Sequence, residues 1–449
     1  MDRPATHRLS GVGSVVLTPW GEFVNRSQSE NHSALSTATL VGWMWIAYFL
    51  NYCDRQAVFA MFKVLKSDLS MTDTQLGLTG ALFLWVYGVG CPIAGFLADR
   101  YSKTWLIVGS LILWSLVTIA TGLSVSAIML LGMRAAMGIS EALFMPAAIS
   151  LTTNRTPERW RSRAVASLTT AQIAGVIAGA SFGGWMAQQG QWRTAFVVLG
   201  ILGLSYSLPY AWYLWRLSST EPSSGVEQPE NLDRTNSATS VLEIFQTATF
   251  CILCVAFPLF VFGLWMIYSW LARYLEESFG LNTAQAGLVS TAYLQGATVV
   301  GLFSGGYLAD RMRKRFASGR VLVLLGSLVI CCPLLVAIGT TRDLNILKWV
   351  LVGYGFFSGW MIGNIFPAAF EVVRSDQRGL AVGVLNLFGA ALSGFAPLLV
   401  GRWKETLGLP GMIQYAAVAY GCASMLLLFA ILFTLKGDLG RYVETDTDR

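Results

Sequence analysis

Long apolar stretches separated by short polar connections set the pattern of this chain. Twelve of them occur: 39–62, 76–98, 105–124, 127–150, 164–187 and 194–215, then 245–275, 285–309, 321–341, 346–372, 380–401 and 411–435. Each approaches or exceeds the ~20 mostly apolar residues that a helix needs to cross a bilayer. The pattern predicts an all-α membrane protein of twelve transmembrane helices. A polar gap rich in Ser, Pro and Glu at 216–243 divides them into two six-helix bundles, 38–215 and 244–436. Residues 1–37 and 437–449 are expected to be flexible tails. The first of these is polar and Ser-rich, without the basic and apolar segments of a secretory leader.

Composition agrees with the pattern. Only 12% of the 449 residues are charged and 54% are hydrophobic, against about 25% charged in ordinary soluble domains. The 45 Gly and 16 Trp fit close helix packing and headgroup-level anchoring. Loops after even-numbered stretches carry fifteen Lys and Arg, and those after odd-numbered ones six. By the positive-inside rule the even loops and both termini are cytoplasmic, in an inner membrane. The net charge of +6 needs no nucleic acid to explain it. Cys251 and Cys254 form a CxxC, but in an apolar run without a partner pair, so they read as small apolar helix residues.

Four ionisable residues break the apolar pattern: Asp54 and Arg55 in the first stretch, Arg134 and Glu141 in the fourth. A charge at the bilayer centre costs roughly 2.5–3.5 kcal/mol on insertion scales, and such residues usually pair, face a cavity and mark a transport path. Arg134 and Glu141 are two helical turns apart on one face, ~10 Å along the axis. Asp54 and Arg55 are adjacent, about 100° apart around their helix. One can therefore point at helix 4 while the other faces a cavity. The expected arrangement pairs Asp54 with Arg134 and leaves the planar fork of Arg55 for a substrate carboxylate. Burial disfavours an ionised carboxylate and a nearby Arg favours it. A proton can therefore bind when an anion claims the positive potential.

The two halves are related in sequence. Gly95-Phe-Leu-Ala-Asp99-Arg100 ends the second stretch and Gly306-Tyr-Leu-Ala-Asp310-Arg311 the eighth. Met145-Pro146-Ala147-Ala148 in the fourth is echoed by Phe366-Pro367-Ala368-Ala369 in the tenth. By the latter register Gly355 and Ile362 stand where Arg134 and Glu141 do, so the second half lacks the charges. Coupling then belongs to the first half and selectivity to the second. Carriers built from such repeats bind substrate at the midplane and rock one half against the other.

The run from Gly95 to Thr104 resembles the G-x-L-a-D-R-x-G-R-(K/R) signature of the major facilitator superfamily, with Ser102 in place of the second Gly. The resemblance implies a cytoplasmic gate motif at Gly95, Asp99 and Arg100, repeated at Asp310 and Arg311. Asn51-Tyr52-Cys53-Asp54-Arg55 and Arg134…Glu141-Ala142 look like the anion:cation symporter branch, which includes galactonate and hexuronate transporters. Trp270-Leu-Ala-Arg-Tyr274-Leu275 is similar to that branch's W-L-P-x-Y-L, with Ala272 where Pro is usual. Gly383-Val-Leu-Asn386 is similar as well. Spinster-like lipid carriers share the Asp-Arg and Arg…Glu pattern and the run at 114–118.

The branch resemblance implies Asp54 and Glu141 as protonation sites beside Arg134, with Arg55 on the substrate. It also favours Tyr52 and Tyr87 as substrate contacts. Tyr268 and Trp270 can stack on a polar ligand, and Asn386 and Asn364 can read hydroxyls. Core packing explains these aromatic and amide residues equally well. The two histidines, His7 and His32, lie in the tail, so carboxylates must carry the proton. No Ser/His/Asp set, metal motif or nucleotide loop stands out, which argues against an enzyme or an ATP-driven pump. The expected function is uptake of a small organic anion by proton symport, as a monomer in the lipid bilayer. No cofactor beyond the proton gradient is expected. The alternative is a spinster-like carrier of lysolipids or amphiphiles.

Overall fold

The computed structural model describes residues 19–219, 243–374 and 377–439. Its first six long helices are α1 (Pro19–Ala57), α2 (Asp73–Arg100), α3 (Lys103–Gly122), α4 (Ala127–Arg155), α5 (Glu158–Gln188) and α6 (Trp192–Ser219). The second six are α7 (Ala248–Phe279), α8 (Thr283–Arg313), α9 (Gly319–Thr340), α10 (Leu344–Phe370), α11 (Arg378–Ser393) and α12 (Phe395–Phe429). Among the described residues ten helical stretches are long and apolar enough to cross a membrane, and the last, 378–439, is long enough for two passes. This is a multi-pass membrane protein with the predicted twelve-helix, two-bundle plan.

Boundaries differ from expectation in three places. α1 already begins at Pro19, so 19–37 is helical and only 1–18 of the expected tail lies outside the described residues. α6 runs to Ser219, and the rest of the expected linker, 220–242, lies outside them. The expected span 380–401 is interrupted at Gly394, while the break between spans eleven and twelve stays within the expected 402–410, inside α12. There Gly408 takes φ +66° and Pro410, which lacks an N–H, restarts the helix.

Local chemistry sets the helix starts. Thr72 and Gln75 form a reciprocal capping box on α2, and Ser126, Asn282 and Asp343 cap α4, α8 and α10. Gly280 in the left-handed conformation ends α7. On the short segment Phe62–Asp68 that follows α1, the Trp192 indole N–H donates to the Asp68 carboxylate at 2.8 Å, and Arg193 pairs with it. These partners hold the Asp68 carboxyl below the usual carboxylate range, the Trp192 bond first. Its contribution is therefore present above the ordinary carboxylate pKa of ~3.9 and lost as pH falls through the depressed value. D68N is expected to lower the melting temperature at neutral pH. Melting curves of the two proteins should begin to converge only below about pH 4 and meet beneath the depressed value.

The repeat is visible in the packing. α1 packs on α5 and α2 on α4, as α7 does on α11 and α8 on α10. Between the halves, α5 meets α8, and α2 meets α11 and the start of α12. Glycines permit these approaches: a Cβ on Gly183 would come within 2.8 Å of the Ala57 carbonyl, and one on Gly80 within 3.0 Å of Pro397. The inter-half contacts lie toward the face away from the chain ends. There Trp85 Nε1 donates to the Ala391 carbonyl at 3.1 Å, and Ala284 N–H to Gln188 at 3.3 Å. One and two turns further along the same face of α2, Val89 and Ile93 are exposed, and Phe388 is exposed on α11. The described inter-half contacts thus close the far face.

Candidate functional site

The four charges of the first half meet beneath the closed face. All are buried, Arg134 and Glu141 completely. Their pairing is not the expected one. Arg55 Nε donates to Glu141 Oε2 at 2.9 Å, and Arg55 Nη2 bonds the same oxygen. Asp54 turns to α3 and accepts from Thr118 Oγ1 at 3.1 Å. Arg134 donates from Nε to the Thr79 carbonyl at 3.2 Å, and its Nη1 lies 3.1 Å from the Met137 sulfur. The expected Asp54–Arg134 pair and the free Arg55 are thus replaced in this conformation. Asp54 and Arg55 diverge by the expected 100° step, but α1 is rotated so that Arg55 faces α4.

Aromatic rings enclose the paired guanidinium. Arg55 Cζ lies 4.5 Å from the Tyr52 ring centroid, 4.7 Å from Phe83 and 5.2 Å from Tyr87. Phe83 also lies 5.1 Å from Arg134, standing between the two like charges. Such faces attract a desolvated cation. Polar capacity is left over: Arg134 Nη2 and the Tyr48 hydroxyl are buried without a hydrogen bond, and Asn51 lies against Glu141. Unpaired buried polar atoms cost about 1–3 kcal/mol each and call for a functional explanation. Gln56 reaches across the halves and donates to the Tyr268 carbonyl at 3.2 Å. A short 3-10 turn, Val58–Met61, follows the cluster directly, as often occurs at hinges.

The remaining expected residues divide. Tyr52, Tyr87 and Tyr268 are brought to the cluster or to the helix facing it, with Tyr87 and Tyr268 only half-buried. Trp270 is not: its side chain is fully buried, its indole donates to the Pro397 carbonyl at 3.0 Å, and its ring packs on Phe62. Asn386 is exposed on α11. Asn364 is spent on structure, accepting from Arg320 at 2.9 Å and donating to the Trp360 carbonyl.

At the gate motif, Arg100 lies 4.1 Å over the Phe96 ring, Gly95 meets no neighbour that a Cβ would touch, and the Asp99 side chain lies outside the described residues. In the second copy Arg311 is exposed, while Asp310 accepts from Arg320 at 2.6 Å. Arg320 also bonds Glu371 at 2.8 Å, binding α8, α9 and α10 together. Sequence reasoning missed Phe83, Thr118, Gln56 and Arg320. Only Phe83, one turn before Tyr87, and Thr118, at the end of the 114–118 run, carried a signal.

Two repeated six-helix bundles around a buried charged cluster define a membrane carrier rather than an enzyme. The family model described as Major Facilitator Superfamily matches residues 44–397, and the chain belongs to that superfamily. Curated relatives include named transporters and a named efflux pump. The probable sulfoacetate transporter SauU of Cupriavidus necator is 28% identical, over 88% of this chain and 94% of that protein. The sialic acid transporter NanX of Escherichia coli is 25% identical, over 94% and 98%. An Escherichia coli D-galactonate transporter is 24% identical, over 86% and 94%. Among solved structures, a bacterial homologue of the human lysosomal transporter Spinster, inward-facing and occupied, has a TM-score of 0.76 at 22% identity, covering 89% of this chain and 98% of that one. That last likeness speaks to the fold.

Proposed function

We propose that this protein imports a small organic anion, a sugar acid or another carboxylate, by proton symport with alternating access. It sits in the inner membrane with both termini cytoplasmic and needs no cofactor but the proton gradient. The observation that carries the reading is the Arg55–Glu141 pair inside its aromatic enclosure. Glu141 occupies the guanidinium that a substrate carboxylate would want. A substrate can claim the planar fork of Arg55 only if Glu141 withdraws. A carboxylate left buried without its partner is costly, and binding a proton removes that cost. Anion and proton then enter together, which is coupling in its simplest form. Asp54, held by Thr118 next to this pair, is the second protonation site. Names of relatives that carry sulfoacetate, sialic acid and galactonate support the anionic substrate class.

The second reading, a spinster-like lysolipid or amphiphile carrier, has the fold likeness in its favour. A long acyl chain would want an apolar cavity, and the unpaired polar atoms around Arg55 argue against one. Uptake of labelled sugar acids, sulfonates and lysolipids into proteoliposomes under an imposed pH gradient separates the two. Acid accumulation collapsed by a protonophore is expected. Lysolipid movement with indifference to every acid would overturn the proposal.

A further inference from the structure

A charged chain crosses the closed face, away from the cluster. Asp73, the first residue of α2, is buried and accepts from Lys66 Nζ of its own half at 2.7 Å. Its other carboxylate oxygen lies 3.5 Å from Lys404 Nζ of the second half. Lys404 in turn bonds Glu277 at 2.6 Å, Arg273 bonds Glu277 at 2.7 Å, and Arg273 reaches Glu276 at 3.2 Å. Three cations and three anions alternate along this chain. The backbones beneath it are in direct contact: a Cβ on Gly401 would come within 2.9 Å of the Asp73 carbonyl carbon. That approach sets Lys404, about one turn beyond Gly401, opposite Asp73.

From this geometry we infer that Asp73 and Lys404 are positioning residues that clasp the two halves at the far face and set the balance between its closed and open states. The arm that crosses is the longest, and Asp73 Oδ1 has no hydrogen bond there. The arms within each half are short. If the halves part, Asp73 keeps Lys66, and Lys404 keeps Glu277. No charge is stranded, so opening avoids the large penalty of a broken buried pair. The clasp therefore biases the equilibrium without locking it. The inference rests on the alternating-access part of the proposal and needs neither protons nor a particular substrate.

The test is a spin-label distance between K63C on the first half and E405C on the second, both exposed near this face. It is measured in nanodiscs at neutral pH, in a background whose native cysteines are replaced and which still transports. D73N and K404Q should each raise the open-to-closed ratio about three- to tenfold, the effect of roughly 1 kcal/mol. The double variant should do no more than either alone, because one contact is being removed. K404R should match wild type. K66Q should not raise the open fraction, since it frees Asp73 for Lys404. If the wild type shows two populations whose ratio the variants do not move, or if the two effects add, the clasp is wrong. A single closed population in every variant, wild type included, would instead sink alternating access.

Discussion

Glu141→Gln is expected to abolish proton-driven accumulation while leaving substrate exchange across the membrane largely intact. The amide keeps the size of the carboxyl and resembles its protonated form, but it cannot lose a proton. Arg55 then loses its buried counter-ion permanently and stays available to an anion from either side. Exchange of labelled for unlabelled substrate needs only binding and rocking, so counterflow should survive and lose its pH dependence. Accumulation against a gradient needs the proton to leave, so the inside-to-outside ratio should fall to about one whatever pH gradient is imposed. Asp54→Asn should reduce accumulation too, but here the amide keeps a hydrogen bond with Thr118. The measurement is paired uptake and counterflow in proteoliposomes. Full accumulation in both variants would remove the carboxylates from the coupling scheme.

How much of this was visible in the sequence depends on the kind of information. The spans, the two halves and the four intramembrane charges could be read because hydropathy and repeats are local properties of the chain. The pairing could not. Adjacent residues on a helix differ by about 100°, yet nothing local fixes the rotation of α1 against its neighbours. Hence Arg55, not Asp54, faces helix α4. The missing charge at Gly355 now has a steric reason: a Cβ there would come within 2.9 Å of the Leu294 carbonyl carbon. Where the first half holds a buried Arg, the second half brings two backbones together. Trp270 shows the converse limit. Its ring could stack on a ligand or pack in the core, and the sequence leaves both open, whereas the structure spends it on packing.

Replacing Arg55 should have the largest effect on both transport and stability, and the two can be separated. Arg55→Ala removes one partner of a buried pair and strands the Glu141 carboxylate, a loss of about 3–5 kcal/mol in comparable cases. The melting temperature should fall sharply and uptake should vanish. The double variant R55A/E141Q removes both charges. It should recover much of the melting temperature, because no ion is left uncompensated, and it should still not transport. Arg55→Lys is the more informative change. A lysine keeps the positive charge for Glu141 but offers a point charge in place of a planar fork. It should fold nearly as well as wild type, yet bind an anion more weakly by about 1.5–3 kcal/mol, roughly ten- to a hundredfold in affinity. Differential scanning fluorimetry and substrate-dependent uptake measure the two quantities. If R55K transported with unchanged affinity, the guanidinium would be a packing device, and the anion would have to bind elsewhere in the cavity. If R55A/E141Q stayed as unstable as R55A, the cost would lie in the lost contacts with Tyr52, Phe83 and Tyr87 rather than in a stranded charge. The aromatic enclosure would then be the stabilising element, and Glu141 would be free to exchange its proton without loosening the fold.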